Sequence, residues 1–133
     1  MKYTELINAA LDVRKSAYSP YSGFKVGAAL MCCDGTVFCG CNIENSSYGA
    51  TCCAERVAFF DAIKNGYTDF SAIAVVGGKD DTIYGFCPPC GICRQVMSEF
   101  CKGEFEVVLF DGKNEKILSL NEILPYSFTG ENL

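Results

Sequence analysis

Two short stretches limit what this chain can become. Cys53-Ala54-Glu55-Arg56 and Pro88-Pro89-Cys90-Gly91-Ile92-Cys93 make chemical sense together only in a fold that returns the second to the first. Three thiols and a carboxylate suit a tetrahedral zinc with three protein ligands and a fourth position left for water, the arrangement of a catalytic rather than a structural site. The chain has no histidine, so the first ligand of such a set must be Cys53. Glu55, two residues further on, is then free to carry protons between a water and a substrate.

Each half of this pattern is ambiguous alone. A Cys-x-x-Cys pair also marks dithiol redox sites and structural zinc. Against redox chemistry, no tryptophan precedes the pair and a Cys-x-Glu lies upstream. A closed four-thiolate site stays open, its fourth sulfur drawn from Cys39, Cys41, Cys52 or Cys87. Glu55 by itself would be an ordinary first-turn glutamate complementing a helix dipole. Its company points to the proton carrier.

With 133 residues, half of them apolar, residues 1–133 are expected to form a single domain able to bury a core without disulfide staples. No apolar run approaches the roughly 20 residues that cross a bilayer, and Met1-Lys2 leads into an amphipathic pattern with no signal-peptide core. A cytoplasmic location with reduced thiols is the expectation. Of the ten cysteines, Cys32, Cys33, Cys39, Cys41, Cys52, Cys87 and Cys101 are expected as small buried hydrophobes. A formal charge of -5 has the wrong sign for a groove that tracks nucleic-acid phosphates. A small-molecule substrate is favoured, with no nucleic acid and no membrane.

Thr4 is an expected N-cap for a first helix whose apolar face is Leu6, Ala10, Val13 and Ala17, ended by Ser19-Pro20. Lys25 to Cys32 alternates, with Val26, Ala28, Leu30 and Cys32 on one side. Asp34-Gly35 offers a hairpin turn into a strand over Thr36 to Cys41. Asn42 to Tyr48 is a polar loop. A second helix is expected from Cys53 to Asn65, apolar on nearly every side and so central and buried. Ser71 to Gly77 reads as an interior strand covered on both faces. Cys90 opens a third helix stopped near Gly103. Strands over Phe105 to Phe110 and Lys116 to Leu118 follow, and Ser119-x-x-Glu122 is a capping box for a brief helix ending at Pro125. Alternating strands and helices predict a three-layer α/β/α sandwich with a mixed sheet of about five strands.

Both cysteine stretches fall at expected helix starts, where free N–H groups and the positive dipole end favour thiolate. Three thiolates on a divalent cation leave a net charge near -1, which weakens the ion as a Lewis acid. Arg56 is the candidate to offset it by donating to ligand sulfurs. A guanidinium about 5 Å away contributes on the order of 3 kcal/mol at an effective dielectric of 20.

Four motifs in order now carry a resemblance: Pro20-Tyr21-Ser22-Gly23-Phe24-Lys25-Val26-Gly27-Ala28-Ala29, Gly40-Cys41-Asn42-Ile43-Glu44-Asn45, Cys53-Ala54-Glu55-Arg56, and Pro89-Cys90-Gly91-Ile92-Cys93-Arg94-Gln95. The chain resembles the small homotetrameric cytidine deaminases from Ser19 to about Phe128, and it carries the three-cysteine variant of the zinc-deaminase signature. The resemblance implies that Cys53, Cys90 and Cys93 hold one zinc ion and that Glu55 is the catalytic proton shuttle. It implies that Asn42 and Glu44 bind the sugar hydroxyls, that Phe24 packs on the nucleoside and that the backbone of Ala54 helps hold the pyrimidine. It also implies a homotetramer with shared sites, in which Tyr48 lies near a subunit boundary and Phe128 stacks on a base across it. Pro88 stands where many members carry a small hydroxyl residue, and Ile92 where alanine is frequent.

The activity expected is hydrolytic deamination of cytidine and 2′-deoxycytidine, with release of ammonia, in pyrimidine salvage. A deaminase of a modified nucleoside antibiotic of the blasticidin type shares the zinc motif and is the alternative within enzymes. A zinc-binding interaction module without catalysis would carry a fourth protein ligand in place of water.

Overall fold

Phe24–Cys32 forms strand β1, and the rest of the sheet is laid out on its two edges. In the computed structural model, which describes residues 1–133, Val37–Cys41 (β2) pairs with it antiparallel on one side and Phe70–Lys79 (β3) antiparallel on the other. Glu106–Phe110 (β4) runs parallel to β3, and Glu115–Ser119 (β5) closes the far edge antiparallel, giving the order β2-β1-β3-β4-β5. The β3-to-β4 crossover carries the helix Gly91–Phe100 (α3), as parallel neighbours require. The helices Thr4–Arg14 (α1), Ala54–Lys64 (α2) and Leu120–Ile123 (α4) complete the layers.

Side chains alternate across the central strands, so each face has its own core. Ile73 and Val75 of β3 join Ala28 and Leu30 of β1 beneath α2 and α3, where Phe59 stands edge-on to Phe70 with ring centroids 5.2 Å apart. On the opposite face Ala29, Ala72 and Ala74 meet Leu6, Ile7 and Ala10 of α1. Around Gly27 and these alanines the helix comes very close: a Cβ at Gly27 would lie 2.0 Å from the Ala10 carbonyl oxygen. The mixed five-stranded α/β architecture is the one expected.

Several local expectations need correction. Thr4 is the first helical residue and not the cap. The backbone N–H groups of Lys2 and Tyr3 donate instead to the Glu115 carboxylate at 3.0 and 2.8 Å, a partner on the far edge strand. The helix ends at Arg14, short of Ala17, because Tyr18 leaves to pair with the segment after β2: its N–H donates to the Asn42 carbonyl, and its carbonyl accepts from the Glu44 N–H. The buried face of α1 is therefore Leu6, Ile7, Ala10 and Arg14, with Val13 and Ala17 half-buried. Strand β1 is not one-sided, since α1 covers the face that carries Ala29. Helix α2 is not buried all round either: Ala58, Phe59 and Ala62 pack on the sheet, while Phe60 is 49% exposed on the other side. Cys33 is exposed in the turn after β1. Cys32 alone of the seven expected buried thiols is fully buried, and the other five are half-buried.

Other expectations hold. Gly35 adopts φ +92° in the hairpin turn, and the Ser119–Glu122 capping box forms, with the Glu122 N–H donating to Ser119 Oγ at 3.2 Å.

Gly40 sets how α2 meets β2. A Cβ there would stand 2.4 Å from the Ala54 carbonyl oxygen and 2.5 Å from the Ala58 nitrogen, both rigid backbone. Gly40→Ala is expected to cost about 1–3 kcal/mol of stability by forcing the helix off the sheet. A urea midpoint equal to that of the parent protein would show that α2 accommodates the methyl.

Candidate active site

Strand directions bring the chemistry to one edge of the sheet. Because β1 is antiparallel to both neighbours, its first residues lie beside the last residues of β2 and β3: Gly27 pairs with Cys41 on one side and with Val76 on the other, and Phe24 pairs with Lys79. The loops that leave β2 and β3 at this edge lead to the starts of α2 and α3. Cys53 and Cys90 are the N-cap residues of those helices, both with extended backbone, and Cys93 is the third residue of α3.

The sulfurs of Cys53, Cys90 and Cys93 lie within 4.8 Å of one another, and no further Cys, Asp or Glu ligand atom joins the group. Cys39, Cys41, Cys52 and Cys87 do not supply a fourth sulfur. Two sulfurs bound at about 2.3 Å to a tetrahedral centre stand about 3.8 Å apart. Cys53 Sγ and Cys90 Sγ are 3.8 Å apart. The donor set and its spacing thus fit zinc with one corner left open.

Charge around these sulfurs is managed locally. Hydrogen bonding from Cys93, then from Arg56 and Cys90, holds the Cys53 thiol well below its usual range against the opposing effect of burial. The same hydrogen bond, with burial, drives Cys93 the other way. Arg56 Nη2 donates to Cys53 Sγ at 3.4 Å, so the guanidinium on the first turn of α2 faces the cluster. Glu55, the second residue of α2, is 4% exposed. Burial first, and then the charge on Cys53, push its carboxyl up to about 7 despite a backbone hydrogen bond. Cys87 sits in the adjoining wall, its thiol pushed up to about 11 by burial.

A cavity of about 240 Å³ opens in front of this cluster. Phe24, Asn42, Glu44, Ala54 and Glu55 line it, and Pro88 forms part of the opposing wall. Asn42 is clamped to β1: its Oδ1 accepts from the Val26 N–H and its Nδ2 donates to the Phe24 carbonyl, both at 2.8 Å. One N–H and one lone pair of that amide remain for a ligand. Tyr48 is outside this cavity, 78% exposed and edge-on to Tyr21, where it lines a neighbouring cavity of about 340 Å³ that shares Ser22, Glu44 and Thr51. Phe128 is also outside it, 58% exposed, with its carbonyl accepting from Gln95 Nε2 at 2.8 Å. Gln95 and the preceding Arg94, which donates to the Pro89 and Ile123 carbonyls at 2.7 Å, tie the carboxyl-terminal segment to the third helix.

Arg14 escaped the sequence analysis. It is 6% exposed, and its guanidinium donates to four backbone carbonyls: Lys25 at 2.9 Å, Gly78 at 2.7 Å, Asp80 at 2.6 Å and Thr82 at 3.2 Å. It thereby fastens the start of β1 to the loop that leads to Cys87 and Cys90. Its position four residues after Ala10, on the apolar face of α1, was the available signal.

Comparison with known proteins follows the same lines. The model of the family described as the cytidine and deoxycytidylate deaminase zinc-binding region matches residues 1–109. A protein of Sporosarcina psychrophila named cytidine deaminase is 45% identical over all of this chain and 96% of its own length. A crystal structure of cytidine deaminase from Burkholderia pseudomallei superposes with a TM-score of 0.87 at 50% identity, covering 96% of this chain and 100% of that one. A blasticidin-S deaminase of Bacillus cereus is more distant, at 31% identity over 94% of this chain and 91% of its own length.

Removing the Arg14 side chain leaves four carbonyls short of a donor. Arg14→Ala is expected to lose on the order of 3 kcal/mol or more. Arg14→Lys, with three donors on one nitrogen, should recover part of it. Denaturant unfolding of the two variants measures both effects, and parent-like stability in the alanine variant would contradict the anchoring role.

Proposed function

This chain belongs to the cytidine and deoxycytidylate deaminase zinc-binding family, and on that premise we propose that it converts cytidine and 2′-deoxycytidine to uridine and 2′-deoxyuridine by hydrolysis, releasing ammonia. The observation that carries this reading is a cluster of three ligand sulfurs at the wall of one cavity, which Cys53, Cys90 and the buried Glu55 line together with Asn42 and Glu44. The antibiotic-deaminase reading is disfavoured, since the relative of that name is 31% identical where those of Sporosarcina psychrophila and Halalkalibacterium halodurans, named cytidine deaminase, are 45% and 46% identical. A binding module without catalysis is disfavoured by the lack of a fourth protein ligand.

Cys53, Cys90 and Cys93 would hold zinc, which supplies the Lewis-acid polarisation that makes a water nucleophilic near neutral pH. Glu55 takes a proton from the attacking water and passes it to N3 of the pyrimidine. The water oxygen bonds to C4. Glu55 then transfers the second proton to the exocyclic nitrogen, the C4–N bond breaks, and ammonia leaves. Arg56 offsets the thiolate charge that would otherwise weaken the cation toward water. Phe24 packs on the nucleoside, the backbone of Ala54 holds the pyrimidine edge, and Asn42 and Glu44 take the sugar hydroxyls.

Residues 1–133 act as one domain in this reading, and four copies assemble with shared sites. The exposed aromatic rings of Tyr48, Phe60 and Phe128 support that assembly. Tyr48 and Phe128 would then complete a neighbour's cavity. A place in pyrimidine salvage in the cytoplasm follows from the substrate class. No helix is long and apolar enough to cross a membrane.

Purified protein should deaminate cytidine, followed by the change in ultraviolet absorbance, and lose activity in proportion to metal removed by a chelator. Full turnover with the metal gone would overturn the assignment. Glu55→Ala should retain zinc by elemental analysis yet fall in kcat on the order of 10³-fold, within the range for a lost general acid–base. Sedimentation at micromolar concentration should give four times the mass of one chain, and a monomer active at that concentration would rule out shared sites.

A further inference from the structure

The Glu44 carboxylate already has partners before any ligand arrives. Oε1 accepts from the backbone N–H groups of Tyr21, at 2.9 Å, and Ser22, at 3.2 Å. Oε2 accepts from the Ser22 hydroxyl at 2.5 Å. A carboxylate offers about four lone-pair sites. Three are filled, and the one left is on Oε2, beside the Ser22 oxygen. Ser22 is also held from its other side, because its Oγ accepts from the Phe24 N–H at 2.9 Å. One hydroxyl thus links the carboxylate to the strand end that carries Phe24. Both side chains line the cavity. The local backbone is built for this contact: Gly23, at φ +69°, turns the chain between Ser22 and Phe24, and its carbonyl accepts from the Asp80 N–H at 2.8 Å. The Ser22 hydroxyl is also the largest influence keeping the Glu44 carboxyl below its usual range, so the group stays an acceptor.

We propose that Ser22 is a positioning residue for sugar recognition: its hydroxyl fixes the Glu44 carboxylate with a single lone pair facing the cavity, so that Glu44 accepts one sugar hydroxyl in one orientation. This rests on the reading that Glu44 binds the sugar. The consequence is selectivity rather than rate. Without the Ser22 hydroxyl, Oε2 is free to rotate and to take water. The advantage of a substrate with ring hydroxyls over one without them shrinks, while the deamination chemistry at the sulfur cluster is untouched.

The test compares cytidine with 2′,3′-dideoxycytidine, which lacks both ring hydroxyls, on the parent enzyme, Ser22→Ala and Glu44→Ala. In Ser22→Ala, kcat/KM for cytidine should fall about five- to tenfold, mostly through KM, with that for dideoxycytidine changed less than twofold. Glu44→Ala should lose about 100-fold on cytidine and far less on dideoxycytidine. Adding Ser22→Ala to Glu44→Ala should then cost nothing further on the ratio. If Glu44→Ala shifts the ratio and Ser22→Ala does not, the positioning role is wrong and Glu44 keeps its own. If Glu44→Ala weakens both substrates equally, the sugar-binding reading itself fails. An equal loss on both substrates in Ser22→Ala marks a purely structural contact and overturns the proposal.

Discussion

The site exists because β1 runs antiparallel between two strands that are parallel to each other. That arrangement puts the amino end of β1 between the carboxyl ends of β2 and β3, where the chain must turn into α2 and α3. Two helix starts and a strand start then share one edge of the sheet, the edge at which open α/β sheets present their ligand crevices. Register matters as much as direction. A slip of one residue in β1 would exchange Ala28 and Leu30 with Ala29, sending the side chains meant for α2 toward α1. The alanine-rich patch under α1 and the aromatic cluster around Phe59 cannot be interchanged, and that asymmetry holds the register.

Packing at this edge is tight where geometry is needed. Gly40 lets the first turn of α2 sit directly on β2, so the helix that carries Cys53, Glu55 and Arg56 is located by backbone contact rather than by flexible side chains. Arg14 acts similarly on the other wall, gathering carbonyls from the start of β1 and the loop after β3. The segment from Asp80 to Cys90 has no helix or strand of its own, and it is this ring of carbonyls that gives it a fixed path to the third helix. A site held to a fraction of an ångström needs such support behind its ligands.

Electrostatics in the cavity follow from the same placement. Three sulfurs gathered at two helix N-termini would concentrate negative charge on binding a cation, where dipoles and Arg56 answer it. Glu55, one residue before Arg56, points into dry surroundings and is held closer to neutrality than an exposed carboxyl. Glu44, at the open rim, is surrounded by donors and stays charged. Two glutamates eleven residues apart in one chain are therefore pushed in opposite directions, because burial outweighs the hydrogen bonds at Glu55 while at Glu44 three donors outweigh burial.

What the sequence settled by itself was chemistry carried in short spans: the two cysteine stretches, the absence of histidine that made Cys53 a ligand candidate, the capping box at Ser119, the strand and helix order, and the family motifs. These are legible because spacing along the chain is nearly spacing in space over one turn or one hairpin. Tertiary structure alone decided the rest. Glu115 supplies the donors' partner before α1, a carboxylate on the far edge strand. Tyr18 ends that helix early by pairing with Asn42 and Glu44. Arg14 is buried because carbonyls from residues 25 to 82 surround it, and Ser22 gains its role from a glutamate 22 residues away. A side chain whose partners are brought in by the sheet has no local pattern to announce it, since hydrophobic period and turn residues describe where the backbone goes and not which polar groups meet when it gets there.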